Sequence, residues 1–174
     1  MATAALFALV PEAEARVAHL RERFDPAARR GLGAHITILY PFAAPEAVGV
    51  ESLQRLAAAL AGIGPFRFAL TRLARFPGTI YLAPKPASRF IRLHASLAGA
   101  FVDADAQART PFVPHLSVAR DGQGDADGVE AELLAQLRLH GPIECLCREL
   151  AWMENGSGLW RMIRTLQLGR GGAP

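Results

Sequence analysis

A repeated order of predicted strands and helices constrains the fold of this chain more than any other feature of its sequence. Apolar runs and alternating patterns predict strands at residues 4–10, 34–40, 66–73, 79–83 and 112–119. Apolar residues at helical spacing predict helices at residues 12–24, 50–61, 88–102 and 129–139. A closing hairpin is predicted from residues 143–153 and 159–168, around Asn155–Gly158. The chain therefore reads strand–helix–strand–helix–strand twice, with one strand added at the end.

The repetition divides the chain into two similar halves within one domain, residues 1–174. A chain of 174 residues suits a single domain, and with 51% apolar residues it can bury a core. We place the boundary at Phe76-Pro77-Gly78, which gives lobes of about 1–76 and 77–174, and we allow for strands exchanged between them. Two similar halves that pack about an approximate two-fold axis would form a groove lined by equivalent residues from each half.

The middle strand of each half carries a histidine followed two residues later by a hydroxyl side chain. The first reads His35-Ile36-Thr37, and the second reads His115-Leu116-Ser117. Because side chains alternate along a strand, each histidine shares a face with its hydroxyl partner, roughly 6–7 Å away. The residues between them point to the opposite, apolar face and anchor the strand in the core.

Two such pairs suit acid–base chemistry on a phosphate ester. A neutral imidazole can take a proton from attacking water, and a protonated one can give a proton to the leaving oxygen. The hydroxyl groups of Thr37 and Ser117 can hold the non-bridging phosphate oxygens as negative charge builds. This chemistry requires neither a metal nor a cofactor, and we expect His35 and His115 to be the catalytic pair.

The remaining histidines lack this arrangement. His94-Ala95-Ser96 also matches the short pattern, but it lies in a predicted helix, where residues two apart do not share a face. His19 in the first helix and His140 before a turn have no chemical partner nearby, so we assign them surface or capping roles. A single strand histidine is more often structural than catalytic, and the equivalent placement of two is what favours function.

The two histidine segments resemble the signature motifs of the 2H phosphoesterases. These segments are His35–Phe42 (HITILYPF) and His115–Arg120 (HLSVAR), with the histidines eighty positions apart (115 − 35). The superfamily includes bacterial proteins called 2′-5′ RNA ligases and cyclic nucleotide phosphodiesterases of plants and animals. The second motif carries serine in place of threonine, which the family also uses. The resemblance spans most of the chain, since the doubled order of elements matches as well.

The resemblance implies a fold, a site and a substrate class. The fold would be α+β and bilobed, with two pseudo-symmetric βαβαβ-type halves and mainly antiparallel sheets around a central groove. His35 and His115 would be catalytic, and Thr37 and Ser117 would bind the substrate. Partners would be RNA 3′ ends or small nucleotides with a cyclic phosphate, and substrates would be 2′,3′-cyclic phosphates, ADP-ribose cyclic phosphate or 2′-5′-linked RNA. Which histidine is the base is left open.

Two alternatives remain open from the sequence. The same groove could belong to a non-catalytic module that binds RNA ends or nucleotides, although binding a phosphate does not need two titrating groups. A metal-dependent hydrolase could instead combine histidines with Cys145 and Cys147, but no second pair of ligands accompanies them. We read both cysteines as small apolar residues of a reducing compartment.

Several secondary residues are candidates for substrate contacts. Arg120 follows the second motif, although in a regular strand it would face away from His115. Tyr81, Phe42 and Trp160 are candidates for stacking on a base, with core packing as the simpler interpretation. The basic loop 29–33 precedes His35 and could touch a nucleotide.

Charge and the first residues indicate where such a chain works. The formal charge is +3 and Lys85 is the single lysine, so the positive charge is almost all guanidinium, which suits phosphate oxygens. The apolar run 4–10 has no preceding basic residue and is followed by Glu12 and Glu14, so we read it as a buried strand rather than a signal sequence. We therefore expect a cytoplasmic monomer without a membrane segment.

Overall fold

Both strands and helices occur in the computed structural model, which describes residues 3–102, 111–120 and 126–169. The strands are β1 (Ala4–Leu9), β2 (His35–Phe42), β3 (Phe66–Phe76), β4 (Thr79–Lys85), β5 (Leu116–Arg120), β6 (Ile143–Cys147), β7 (Glu149–Glu154) and β8 (Arg161–Gln167). The helices are α1 (Pro11–Phe24), α2 (Pro26–Arg29), α3 (Val50–Ala61), α4 (Ser88–Phe101) and α5 (Ala126–His140), with a 3₁₀ turn at Pro45–Ala47.

Within those residues, the strands form two four-stranded sheets. The first sheet has the order β2-β1-β7-β8, and the second has the order β5-β4-β3-β6. Every pairing between neighbouring strands is antiparallel. The predicted α+β fold with antiparallel sheets is therefore confirmed.

Neither sheet is built from one half of the sequence alone. β3 precedes the turn at residues 77–78 but pairs with β4, in the second sheet. β7 comes late in the chain but pairs with β1, in the first sheet, and β8 pairs with β7. Each sheet therefore combines strands from both halves of the repeated order, which ties the two sheets together covalently at several points.

The continuous strand predicted at residues 143–153 is wrong, because the chain changes sheets at Arg148. β6 pairs with β3 in the second sheet, and β7 pairs with β1 in the first. Burial marks the change: odd-numbered Cys145 and Cys147 face the core, and then even-numbered Leu150 and Trp152 do so. The predicted hairpin across Asn155–Gly158 is confirmed as β7 and β8.

The main core lies between the sheets and the helices that cover them. α1 packs against β5, and α3 packs against α4. Phe90 of α4 is fully buried and meets Phe66 and Phe68 of β3 edge-on, at ring-centroid distances of 5.0 and 4.9 Å. Burying side chains of this size contributes roughly 1.5–3 kcal/mol each. None of the helices in the described part of the chain is both long and apolar enough to cross a membrane.

Candidate active site

His35 begins β2 and presents one ring nitrogen to a cleft. The side chain is only 3% exposed, and its ring stands edge-on to Phe7 at 4.8 Å between centroids. Its Nδ1 lies 2.8 Å from the carbonyl oxygen of Gly33. Because a carbonyl can only accept, Nδ1 carries the hydrogen, and Nε2 of the neutral ring keeps its lone pair for a proton.

His115, the residue before β5, is held in the same way. Its Nδ1 donates to the carbonyl oxygen of Val113 at 2.8 Å, again two residues earlier in the chain. The rings of Phe76 and Tyr81 support it edge-on at 5.0 and 5.4 Å. Both imidazoles are therefore oriented by a backbone carbonyl, which leaves both Nε2 atoms available for chemistry.

One cleft of about 510 Å³ is lined by His35, Thr37 and His115. His35 and Thr37 come from the first sheet, and His115 adjoins the second, so the cleft lies between the sheets. The remaining polar or aromatic lining consists of Phe7, Asp25, Arg30, Tyr40, Arg120, Asn155 and Trp160. Three of the four predicted site residues therefore meet around one space.

The fourth, Ser117, does not line the cleft, and Arg120 takes its place there. Ser117 is 2% exposed, and its Oγ accepts a hydrogen bond from Nη2 of Arg120 at 3.1 Å. The register of β5 explains the position of Arg120: Ala119 pairs with Ile80 and Ser117 pairs with Tyr81, so Val118 has no partner. Such a bulge reverses the alternation of side chains. The expectation that Arg120 faces away from His115 is wrong for this reason.

A matching bulge occurs in β2. Thr37 pairs with Phe7 and Leu39 pairs with Leu6, so Ile38 is the extra residue. In both strands the bulge comes directly after the hydroxyl residue, and the side chain three positions beyond that hydroxyl residue reaches the cleft. That side chain is Arg120 in β5 and the exposed phenol of Tyr40 in β2. The two halves thus supply equivalent histidines but a cation on one side and an aromatic ring on the other.

The surroundings of the histidines keep both rings neutral in the free protein. Burial, followed by the charge of Arg21, lowers the pKa of His35 to about 3, although the bond to Gly33 acts in the opposite direction. Burial also lowers the pKa of His115, with a smaller effect in the same direction from Arg120. His115 is less buried than His35, so it is the easier of the two to protonate.

Comparison with known proteins identifies the family. A model of the 2′-5′ RNA ligase superfamily matches residues 9–159, which include both histidine motifs. The chain belongs to this superfamily. A curated relative from Oceanobacillus iheyensis, named "Putative phosphoesterase OB1230", is 30% identical over 127 residues, which are 70% of each protein. Membership of the superfamily, which is that of the 2H phosphoesterases, supports a phosphoesterase or ligase type of activity.

Solved structures with the superfamily's fold cover nearly the whole chain. LigT of Escherichia coli, solved with NADP⁺, has a TM-score of 0.59 at 17% identity, over 97% of this chain and 98% of LigT. TT0787 of Thermus thermophilus has a TM-score of 0.62 at 17% identity, over 96% of this chain and 98% of TT0787. At this identity the likeness shows the fold, which agrees with the two antiparallel sheets described above.

A buried charged network beneath the superfamily motifs was missed by the sequence analysis. Arg21 is 1% exposed and Asp25 is 0% exposed, and Arg21 Nη2 lies 2.8 Å from Asp25 Oδ2. Arg21 Nε also donates to the carbonyl oxygen of Ser117 at 3.2 Å, and Arg120 Nε lies 3.8 Å from Asp25 Oδ1. The sequence does carry one indication of this network. Arg21 lies four residues before Asp25, which precedes a proline at the end of an amphipathic helix.

Of the other residues that the sequence suggested for substrate contacts, some line the cleft and others lie in the core. Trp160 lines the cleft and meets Phe7 edge-on at 5.0 Å. Tyr81 is buried and stacks on Phe76, and Phe42 is packed in the main core, so neither ring is open to a base. From the basic loop, Arg30 reaches the cleft.

His94 makes specific contacts, although the sequence predicted no special role for it. Its Nδ1 lies 2.7 Å from the carbonyl oxygen of Ile38, the bulge residue of β2. Its ring stacks on Phe112 with 4.1 Å between centroids and 7° between planes. Because Phe112 lies three residues before His115, His94 connects the two motif strands.

Within residues 3–102, 111–120 and 126–169, no three His, Cys, Asp or Glu side chains cluster closely enough to hold a metal ion. Burial raises the pKa of the Cys145 and Cys147 thiols to about 12, so both are protonated at neutral pH. Both side chains pack in the main core.

Proposed function

We propose that this chain is a metal-independent phosphodiesterase that acts on 2′,3′-cyclic or 2′-5′ phosphodiester bonds of RNA ends or nucleotides. The observation that carries the proposal is the pair of imidazoles, His35 and His115, oriented alike on one cleft, with neither Nε2 atom hydrogen-bonded to another of the described residues. Membership of the 2′-5′ RNA ligase superfamily supports the same class of chemistry.

In the proposed hydrolysis of a cyclic phosphate, His35 is the base and His115 is the acid. Nε2 of His35 takes a proton from water as the water oxygen forms a bond to phosphorus. The bond from phosphorus to one ribose oxygen breaks, and Nε2–H of His115 protonates that oxygen. This assignment follows from burial, because His115 is the more readily protonated ring. The negative charge of a bound phosphate would raise the pKa of both rings toward neutrality.

Thr37 and Arg120 are the residues that we propose to hold the phosphate. The Thr37 hydroxyl and the Arg120 guanidinium both line the cleft, and a guanidinium suits phosphate oxygens in charge and shape. We propose that Ser117 acts through Arg120, since its hydroxyl accepts from that guanidinium in the free protein. In this proposal Arg120, and not Ser117, makes the contact with the substrate.

The proposed partners are RNA 3′ ends or small nucleotides that carry a cyclic phosphate. LigT, which shares the fold, has been solved with 3′-AMP, ATP and NADP⁺. In this chain the rings of Tyr40 and Trp160 line the cleft and offer surfaces on which a base can stack. We also propose that the chain is a monomer in the cytoplasm, where the reducing conditions suit the free thiols of Cys145 and Cys147.

Turnover of 2′,3′-cyclic AMP, ADP-ribose cyclic phosphate and 2′-5′-linked diadenosine tests the proposal, each with and without EDTA. We expect hydrolysis that survives the chelator and a bell-shaped dependence of kcat/KM on pH. His35→Ala and His115→Ala should each lower kcat roughly 10²–10⁴-fold, because each removes one proton transfer. His140→Ala, at an exposed position on α5, is the matched control and should keep full activity.

Two results would contradict the proposal. Full activity of the His35→Ala/His115→Ala double variant would remove the paired histidines from the mechanism. Binding of 3′-AMP without turnover of any of the three substrates would identify a non-catalytic nucleotide-binding module instead.

A further inference from the structure

The buried ion pair of Arg21 and Asp25 is costly to a protein core. Both side chains are almost completely withdrawn from water. Such burial costs several kcal/mol per ion, and an apolar pair of similar volume is often at least as stable. Stability alone therefore does not account for the pair, and its position beneath the cleft directs attention to the residues that it touches.

Asp25 contacts three separate elements with its two carboxylate oxygens. Oδ2 accepts from Arg21 at 2.8 Å, and Oδ1 accepts from the backbone N–H of Ala27 at 3.0 Å, which caps α2. Oδ1 also lies 3.8 Å from Nε of Arg120. That Nε is buried and has no hydrogen-bond partner within the described residues, so Asp25 is the acceptor that it faces.

The guanidinium of Arg120 is consequently held from two sides. Asp25 attracts its Nε edge, and the Ser117 hydroxyl accepts from Nη2 at 3.1 Å. The side chain of Arg120 is still 38% exposed and lines the cleft. A long, flexible cation is thereby restrained to one direction before any ligand arrives, which lowers the entropy cost of binding.

The network of Arg21, Asp25 and Arg120 carries a net positive charge, which favours an anionic ligand. Arg21 and Asp25 cancel, and Arg120 contributes the one remaining positive charge. If Asp25 had no other cation beside it, its attraction would compensate the charge that Arg120 offers to a phosphate. Arg21 therefore allows Asp25 to orient Arg120 without neutralising it.

We propose that Asp25, neutralised by Arg21, is a positioning residue that directs the Arg120 guanidinium into the cleft, where it meets the phosphate of the substrate. This inference rests on the proposed function for the identity of the ligand. Asp25 itself does not touch the reacting atoms in this scheme and acts on the phosphate through Arg120. Its charge also raises the pKa of His35, but that ring is neutral at neutral pH with or without this effect.

A double-mutant cycle tests this dependence. Asp25→Asn removes the negative charge beside Arg120 and keeps one of the two acceptor oxygens, which can serve the Ala27 N–H or Arg21 but not both. We expect Arg120→Met to lower kcat/KM for 2′,3′-cyclic AMP and to weaken 3′-AMP binding, each by roughly 10- to 100-fold. Asp25→Asn should lower both about tenfold in the wild-type background and leave both unchanged in the Arg120→Met background.

Equal losses from Asp25→Asn in both backgrounds would overturn the proposal, because they would show an effect that bypasses Arg120. The matched control is Glu154→Gln, which alters another buried carboxylate paired with an arginine, Arg161, neither of which lines the cleft. It should leave both quantities unchanged. Calorimetric binding of 3′-AMP keeps the test informative if the wild type turns over no cyclic phosphate.

A second variant covers the case in which Asp25→Asn does not fold because Arg21 is left unpaired. Arg21→Met combined with Asp25→Asn removes both buried charges and leaves no unpaired ion. The same comparison with and without Arg120→Met then applies. An additive loss in this background would again contradict a positioning role, and a loss confined to the intact Arg120 background would support it.

Discussion

Lowering the pH should destabilise this protein through His35 in particular. The folded chain holds this imidazole at a pKa of about 3, well below the ordinary value of 6.5 that applies once the chain unfolds. As the pH falls below 6.5, the unfolded chain binds a proton that the folded chain does not accept until near pH 3. Falling pH therefore favours unfolding through this residue, and its full stability contribution is present only above pH 6.5.

The size of the effect follows from proton linkage. With these two pKa values, His35 alone should lower the free energy of unfolding by about 2.5 kcal/mol between pH 7 and pH 4.5. The result depends little on the folded value, because any folded pKa below about 4 leaves the ring neutral at pH 4.5. This is a large fraction of the roughly 5–15 kcal/mol that stabilises a typical domain.

Urea denaturation at the two pH values measures this contribution. His35→Asn keeps an N–H near the position of Nδ1, so it can still donate to the Gly33 carbonyl, but it cannot titrate. The free energy of unfolding of the variant should fall about 2.5 kcal/mol less than that of the wild type over the same interval. Carboxylates present in both proteins cancel in this difference.

The control variant is His140→Asn, at an exposed position, and it should follow the wild type at both pH values. If the wild type and His35→Asn lost equal stability, the folded protein would have to protonate residue 35 as easily as the unfolded chain does. That result would refute the buried, neutral imidazole on which the assignment of the base depends.

Two further substitutions test the support of the motif strands. A Cβ on Gly33 would lie 2.7 Å from Oε1 of Glu14, which accepts from the backbone N–H of residue 34. Gly33→Ala should therefore cost about 1–3 kcal/mol in urea denaturation by breaking that bond, and unchanged stability would contradict the close contact. His94→Leu leaves the Ile38 carbonyl without its 2.7 Å donor, so we expect a loss of about 1–3 kcal/mol and a lower kcat, with partial recovery in His94→Gln. Equal stability of His94→Leu and the wild type would show that the bond contributes nothing.

The fold and the histidine pair were predictable because they depend on local patterns. Alternation along strands and helical spacing set the element types, and the same patterns placed His35 and His115 on equivalent strands. The hairpin around Asn155–Gly158 carried explicit turn residues. What these features share is that each can be read within a window of a few residues.

The features that were missed depend on the pairing of distant strands. Nothing in the letters around Ile38 or Val118 marks a bulge, because the extra residue is defined by the partner strand. Without the bulge, regular alternation turns Arg120 away from the cleft. The sheet change at Arg148 was missed for a similar reason, since no glycine or proline interrupts residues 143–153.

The distribution of strands between the sheets also orders events during synthesis. The strands of the second sheet all lie between residues 66 and 147, so all of them are made before β7 and β8. β1 is made first, yet one of its neighbours, β7, begins at residue 149 and is made among the last strands. One edge of β1 therefore stays open until β7 is made, and chaperones that shield such edges would act at this stage.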